Sequence, residues 1–369
     1  MTQDDTDARA AALLHLGVDA LSKGAARTLA STLTSTFHLP GDPVGVPGYG
    51  RMNNPTWEAT EEALALLEDA PTRLFPSGMA AVAAALFAVL KSGDRLLLPS
   101  DGYYTTRLLA EDFLAPFGVT VETRPTAQFA DGGFEGFALV FIETPSNPGL
   151  DVIDLAATCA AIRAAGGISV VDNTTMTALG QRPLDLGADI VVASDTKAPG
   201  GHSDILMGHV SSRNDALLER MALWRKLSGP IPGPHEAWLL HRSLETLEVR
   251  FERMCRSAHM IAERLAQHPR VSGIRYPGLG SDPGYAVARR QMTTGGFLIG
   301  FELESEEAAE AFVASCPLID PTTSFGGTHS SAERRARWGD AVAPGFLRLS
   351  IGVEPVEALW AAIDAALAT

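Results

Sequence analysis

The 369-residue chain predicts an α/β fold: a large, mostly parallel sheet domain followed by a smaller C-terminal α/β domain. Three observations carry this expectation. Short apolar runs of strand length recur through the first part of the chain, most of them separated by helical stretches. The stretch Pro230-Ile-Pro-Gly-Pro234 then interrupts that order and marks a junction. Beyond it a long helical run gives way to mixed strand and helix. With 46% hydrophobic and 20% charged residues, there is apolar material enough for two cores.

The elements follow in order. Residues 1–50 open with a helix over Ala8–Leu21 and continue as an extended, Thr/Pro/Gly-rich segment from Thr28 to Gly50. A segment this long without apolar periodicity is out of place as a loop on its own domain, and it reads as an arm that docks on another subunit. Residues 51–234 hold the large domain. Trp57–Glu68 has the spacing of an amphipathic helix, and Met79–Leu90 is an Ala-rich helix closed by Ser92-Gly93. Arg95–Pro99, Ala138–Ile142, Ile168–Val171 and Ile190–Ala193 are near-continuous apolar runs, the pattern of strands buried on both faces. Residues 235–369 form the smaller domain, with a helical run from His235 to about His268, a strand at Gly296–Phe301, and helices at Glu306–Ala314 and Pro355–Leu367.

A formal net charge of −15 argues against nucleic acid or an anionic membrane as partner. The most apolar stretch, Met79–Leu90, is too short to span a bilayer. The acidic start Met1-Thr-Gln-Asp-Asp lacks the basic region and apolar core of a signal peptide. Cys159, Cys255 and Cys316 are odd in number and widely spaced, so reduced thiols and a cytoplasmic location are expected. No metal site is expected.

Ligands of open α/β sheets bind beyond the carboxyl ends of the strands, and here those ends carry chemistry. Ala138–Ile142 runs into Glu143-Thr-Pro-Ser-Asn147, Ile168–Val171 into Asp172, and Ile190–Ala193 into Ser194-Asp-Thr-Lys197. A lysine at the mouth of a buried strand, crowded by hydroxyls and glycines, has a lowered pKa and can act as an amine nucleophile forming a Schiff base. Ser77-Gly78-Met79 opens a helix and offers backbone N–H groups to an anion, or is simply a serine cap. Tyr103 stacks on a planar ligand or packs on a helix. Arg348 pairs with a carboxylate side chain or grips a substrate carboxylate. Amine, carboxylate, ring and anion cradle together suit pyridoxal 5′-phosphate.

Several motifs, in order, resemble those of the Cys/Met-metabolism family of pyridoxal-phosphate enzymes: Tyr49-Gly-Arg51 with Asn54-Pro-Thr56, Ser77-Gly-Met79, Glu143-Thr-Pro-Ser-Asn-Pro148, Val171-Asp-Asn173, Ser194-Asp-Thr-Lys197 through Gly201-His-Ser-Asp204, and Arg348-Leu-Ser350. The resemblance implies the type I fold of pyridoxal-phosphate transferases. It implies that Lys197 carries the cofactor and shuttles protons, that Asp172 pairs with the pyridine nitrogen, and that Tyr103 stacks on the ring. Asn147 would lie near the phenolic oxygen. The Gly78 and Met79 amides and the Ser194 and Thr196 hydroxyls would hold the phosphate. Tyr49 and Arg51 would reach a neighbouring subunit's site, in a homodimer usually doubled to a homotetramer. Arg348, with the Ser324 region, would hold the α-carboxylate of a small amino-acid substrate.

Two departures bear on the substrate. Tyr103-Tyr-Thr-Thr106 is one residue shorter than the family's usual run and has no cysteine, which counts against a methionine γ-lyase. Ser324-Phe-Gly-Gly-Thr-His-Ser330 places His329 where the family commonly has a glutamate facing the substrate's distal group; the bland alternative is an exposed loop residue. The expected activity is that of a cystathionine γ-lyase. The alternatives are cystathionine γ-synthase or homoserine-ester sulfhydrylase, a β-lyase, and a catalytically silent pyridoxal-phosphate binder.

Overall fold

A computed structural model describes residues 3–368. Met1 and Thr2, where the arm and the segment read for a signal peptide begin, and Thr369, which ends the C-terminal domain, lie outside the described residues. Helix α1 (Gln3–Leu14) starts and stops earlier than the expected Ala8–Leu21. Gly17 takes a φ of 73°, a left-handed conformation that ends helical continuation, and only a 3₁₀ turn at Val18–Ala20 follows. Thr28–Gly50 is extended and irregular, with a single bridge between Thr36 and Tyr49. Its base is tied down: the Asn54 side chain donates to the Thr32 carbonyl, and the Trp238 indole to the Leu29 carbonyl, both at 2.8 Å. Its length is not covered, since Leu33 is 75% and Val44 80% exposed, apolar surface that its own domain leaves to water.

Helix α2 (Pro55–Glu68) begins with Pro55 in the first turn and the Asn54 side chain accepting from the Thr56 N–H. The large domain continues as β1 (Thr72–Phe75), α3 (Gly78–Val89), β2 (Arg95–Pro99), α4 (Tyr104–Leu109), β3 (Thr120–Arg124), β4 (Leu139–Glu143), α5 (Leu155–Ala164), β5 (Ile168–Asp172), α6 (Thr177–Gly180), β6 (Ile190–Ala193) and β7 (Gly208–Ser211). These strands form one sheet in the order β1-β7-β6-β5-β4-β2-β3, parallel except for β7, which runs against both its neighbours. The four expected strands make its centre. Alternate residues serve opposite faces: Leu96, Phe141 and Val192 pack on the Ala81–Leu86 face of α3, while Leu97, Val140 and Val191 pack on Leu155 and Ile162 of α5.

The chain then forms α7 (Asp215–Ser228), α8 (Pro234–Leu244), α9 (Leu247–Leu265), β8 (Ser272–Arg275), α10 (Tyr285–Gln291), β9 (Leu298–Glu302), α11 (Glu306–Ser315), β10 (Ser331–Arg334), β11 (Phe346–Ser350) and α12 (Val356–Leu367). The one helical run expected from His235 is two helices. The Ser243 carbonyl is taken by the Thr246 N–H at 3.2 Å and by the Arg250 guanidinium at 2.9 Å, which turns the chain there. Helix α8 packs Ala237 and Leu240 into the same core as Trp57 and Leu64 of α2. The second sheet is antiparallel, ordered β10-β11-β9-β8, and shares a separate core with α9, α11 and α12. Cys159, Cys255 and Cys316 are buried free thiols. Among the described residues no helix is long and apolar enough to cross a membrane.

Candidate active site

Past the end of β6 the chain turns sharply. The Ser194 N–H donates to the Thr174 hydroxyl at 2.9 Å, the Gly200 N–H to the Asp195 carbonyl at 2.7 Å, and the Gly201 N–H to the Lys197 carbonyl at 2.8 Å. The buried Arg250 guanidinium donates to the Ala198 and Pro199 carbonyls at 2.6 and 3.1 Å. A turn held at this many points presents one side chain reproducibly. Burial, reinforced by the nearby Arg348 charge and only partly offset by Asp172, lowers the Lys197 pKa to about 8. Its Nζ lies 5.3 Å from the centre of the Phe325 ring.

Two carboxyl groups face each other on adjacent strands, Glu143 of β4 paired with Asp172 of β5. Both are buried enough that desolvation raises their pKa values, and the Asp172 charge raises that of Glu143 further. At Asp172 the rise is opposed: Thr174 donates to it from the backbone at 2.9 Å, and the Lys197 and His209 charges favour its anion. Glu143 is pushed to about 8 and holds the backbone of its neighbours, accepting from the Tyr103 N–H at 2.7 Å and the Asn147 N–H at 2.8 Å.

Helix α3 supplies the third part. Ser77 caps it by accepting from the Ala80 N–H at 3.1 Å, which leaves the Gly78 and Met79 amides among the first-turn donors without intrahelical acceptors. Gly78 sits hard against the lysine turn: a Cβ there would lie 2.6 Å from Ser194 Cβ and 2.8 Å from its Oγ. Gly78→Ala must push Ser194 out of place. We expect overpacking of about 1–3 kcal/mol, read as roughly 5- to 150-fold weaker cofactor retention in equilibrium dialysis.

The second sheet contributes Arg348, on β11 directly opposite Glu333 of β10. Its guanidinium donates to Asn147 Oδ1 at 2.5 Å, to the Ser324 carbonyl at 2.9 Å and to Glu333 Oε2 at 3.1 Å. Ser324 is held at a φ of 81°, a strained conformation for a residue with a Cβ. Glu333 also accepts from Arg335 and the Trp338 indole. Burial would raise its pKa, but the Arg335 and Arg348 charges lower it instead. Arg348 Nε is buried without a hydrogen-bond partner.

These parts line one cavity of about 440 Å³. The structure brings Gly78, Met79, Tyr103, Asn147, Asp172, Ser194, Thr196, Lys197, Ser324 and Arg348 together there. A larger cavity of about 580 Å³ near Glu252, His259 and Arg289 has no lysine in its wall. His329 lines an adjoining groove of about 400 Å³, which shares Thr196, Ser324 and Phe325 with the main cavity. Tyr49 and Arg51 stay on the arm: the Arg51 guanidinium donates to the Lys226 carbonyl and lies over the Tyr49 ring.

A model of the Cys/Met metabolism pyridoxal-phosphate-dependent enzymes matches residues 12–368. The chain belongs to this family. It is 47% identical to a Streptomyces coelicolor protein provisionally named a cystathionine gamma-lyase, over 90% of this chain and 86% of that one. It is 36% identical to the L-methionine gamma-lyase of Pseudomonas deceptionensis, over 96% of both chains. The solved cystathionine gamma synthase of Xanthomonas oryzae matches it with a TM-score of 0.92 and 34% identity, over 98% of this chain and 97% of that chain. Family membership makes the cofactor pyridoxal 5′-phosphate and the reaction class that of the Cys/Met lyases and synthases.

The residues present fit the family's cofactor. A low-pKa amine, a carboxyl group on the adjacent strand and a helix start with free amides share one cavity. Sequence reasoning gave no role to Glu143, Phe325, Glu333, Arg335 or Trp338. Glu143 carried a signal, a carboxylate ending a buried strand. Glu333 to Arg337 reads locally as a solvated charge run, and only the fold buries its first three residues.

Proposed function

We propose that this protein is a carbon–sulfur lyase that converts cystathionine and water to cysteine, 2-oxobutanoate and ammonia. The observation that carries the reading is the shared cavity in which a low-pKa Lys197 faces Arg348, whose buried Nε lacks a partner. An amine and an unsatisfied guanidinium suit an α-amino acid, whose carboxylate takes the fork. The 47% identity with the Streptomyces relative supports the γ-lyase reading, and the absence of cysteine from Tyr103-Tyr-Thr-Thr106 disfavours methionine as substrate.

When bound, the cofactor supplies an aldehyde that takes amines as Schiff bases and a ring that stores the electron pair left when a proton leaves Cα. Lys197 would hold the cofactor and then, once displaced by the substrate amine, take the proton from the substrate's Cα. Asp172 would face the pyridine nitrogen with its carboxylate, and Asn147 the phenolic oxygen. Tyr103 would stack on the ring and assist proton transfer at the leaving sulfur. The Gly78 and Met79 amides and the Ser194 and Thr196 hydroxyls would bind the phosphate. Arg348, steadied by Ser324, would orient Cα, and removal of a Cβ proton would expel the γ-sulfur. We further propose that residues 1–50 deliver Tyr49 and Arg51 to a neighbouring subunit of a homodimer or homotetramer, with residues 51–234 and 235–369 as the two domains, in the cytoplasm.

The test is to incubate the purified, cofactor-loaded protein with cystathionine and assay products. Cysteine and 2-oxobutanoate in equal amounts are expected. Turnover of an acyl-homoserine with cysteine, without 2-oxobutanoate from cystathionine, would overturn the lyase reading in favour of γ-replacement. His329, in place of the usual acid, gives that outcome its structural motive.

A further inference from the structure

In the turn after β6, Ser194, Thr196 and Lys197 line the cavity, while Asp195 among them does not and is fully buried. There it meets His209 of β7, whose Nδ1 lies 2.9 and 3.0 Å from the two Asp195 carboxylate oxygens. The other ring nitrogen, Nε2, lies 3.3 Å from Glu68 Oε1 at the end of α2. All three residues are buried, with Glu68 2% and His209 3% exposed. A carboxyl group stands at each ring nitrogen, a setting that favours the protonated imidazolium. Burial alone would strip that proton; the Asp195 charge, helped by Glu68, outweighs it and holds the ring's pKa up to about 10.

An ion pair this deeply buried adds little net stability over apolar side chains of the same volume, so its place in the fold calls for another reason. That place is directly behind the residues that present the amine. The Asp195 carbonyl already closes the turn by accepting from the Gly200 N–H. Its side chain, fastened to β7, fixes the rotation of the same residue. We propose that Asp195 and His209 are positioning residues for the cofactor: their bond anchors the middle of the Ser194–Lys197 turn, so that two hydroxyls and one amine face the cavity together. This rests on the reading that the turn holds the cofactor. The His209 charge adds to the effect by favouring the Asp172 anion.

The experiment is equilibrium dialysis of the holoenzyme followed by the visible absorbance of bound cofactor, below the melting temperature of every variant. Asp195→Ala is expected to weaken retention at least about tenfold, the scale of one lost charge-assisted hydrogen bond. Asp195→Asn, whose Oδ1 still accepts from His209, is expected to stay within about threefold of wild type. The triple variant Glu68→Leu/Asp195→Ala/His209→Leu leaves no member of the buried cluster orphaned and carries the test if the single variant does not fold. The same loss is expected of it. Wild-type retention in either folded variant, with only a lower melting temperature, would overturn the anchor. Lys197→Ala run alongside separates the two readings: if it keeps the bound-cofactor absorbance, the assignment of the turn itself falls.

Discussion

Lys197→Ala is expected to abolish the visible absorbance of bound cofactor and to lower kcat/KM for cystathionine by at least about 10³-fold, or roughly 4 kcal/mol of barrier. In the proposed mechanism the amine is both the attachment point and the base at Cα, so no neighbouring group replaces it. Arg348 is a cation at working pH and Glu143 is tied to two backbone amides. The same amine gives wild type a pH consequence. With a Lys197 pKa of about 8, the free-amine fraction of the apoprotein rises as pH increases through that value. The rate at which apoprotein captures added cofactor should therefore climb between about pH 7 and 9 and level off above, a range far below an ordinary lysine's 10.4. Stopped-flow absorbance measures it. A rate that is flat across that range would show that Lys197 is not the capturing amine.

Arg348→Ala is expected to raise KM for the amino-acid substrate by roughly 10²-fold while bound cofactor remains visible, because the loss falls on the carboxylate and not on the cofactor's attachment. Some stability is lost as well. Glu333 loses one of its buried cations, and removing one member of a buried pair costs about 3–5 kcal/mol, a value moderated here by Arg335 at 2.7 Å on the other side. Arg348→Lys should recover charge but not the fork, and Asn147, the Ser324 carbonyl and the substrate cannot all be served by one ammonium. Steady-state kinetics with thermal melting separates the two losses. An unchanged KM in a folded Arg348→Ala protein would remove Arg348 from the substrate site.

Much of this was legible in the residues. The four central strands are continuous apolar runs, because a strand covered on both faces has no water to satisfy with polar side chains, and such runs are readable without a structure. β1, β3 and β7 escaped because none is a continuous apolar run. β1 opens with Thr72-Arg73, β7 holds one apolar side chain in Gly-His-Val-Ser, and β3 is an edge strand whose Thr-Val-Glu-Thr-Arg keeps two residues exposed. Helix α1 was displaced because its apolar content is low and its end depends on Gly17. At the site, Asp172 and Lys197 announced themselves by ending apolar strands with ionisable groups. Asp195 did not, since a carboxylate between two hydroxyl residues looks like turn chemistry until its partner is known.

Local order along the chain determined the strands, their ends and the amine, carboxylate and helix start that name the cofactor, because each of those signals lies within a few residues. Tertiary structure alone decided what surrounds them. Glu333 and Arg335 leave a charged run to flank Arg348, His329 turns to an adjoining groove, and Asp195 and Glu68 converge on His209 from distant elements. A charge buried by another segment pays its desolvation to a partner that the local sequence does not contain. That is why the identity of the cofactor could be read directly, while the setting of the lysine that would hold it could not.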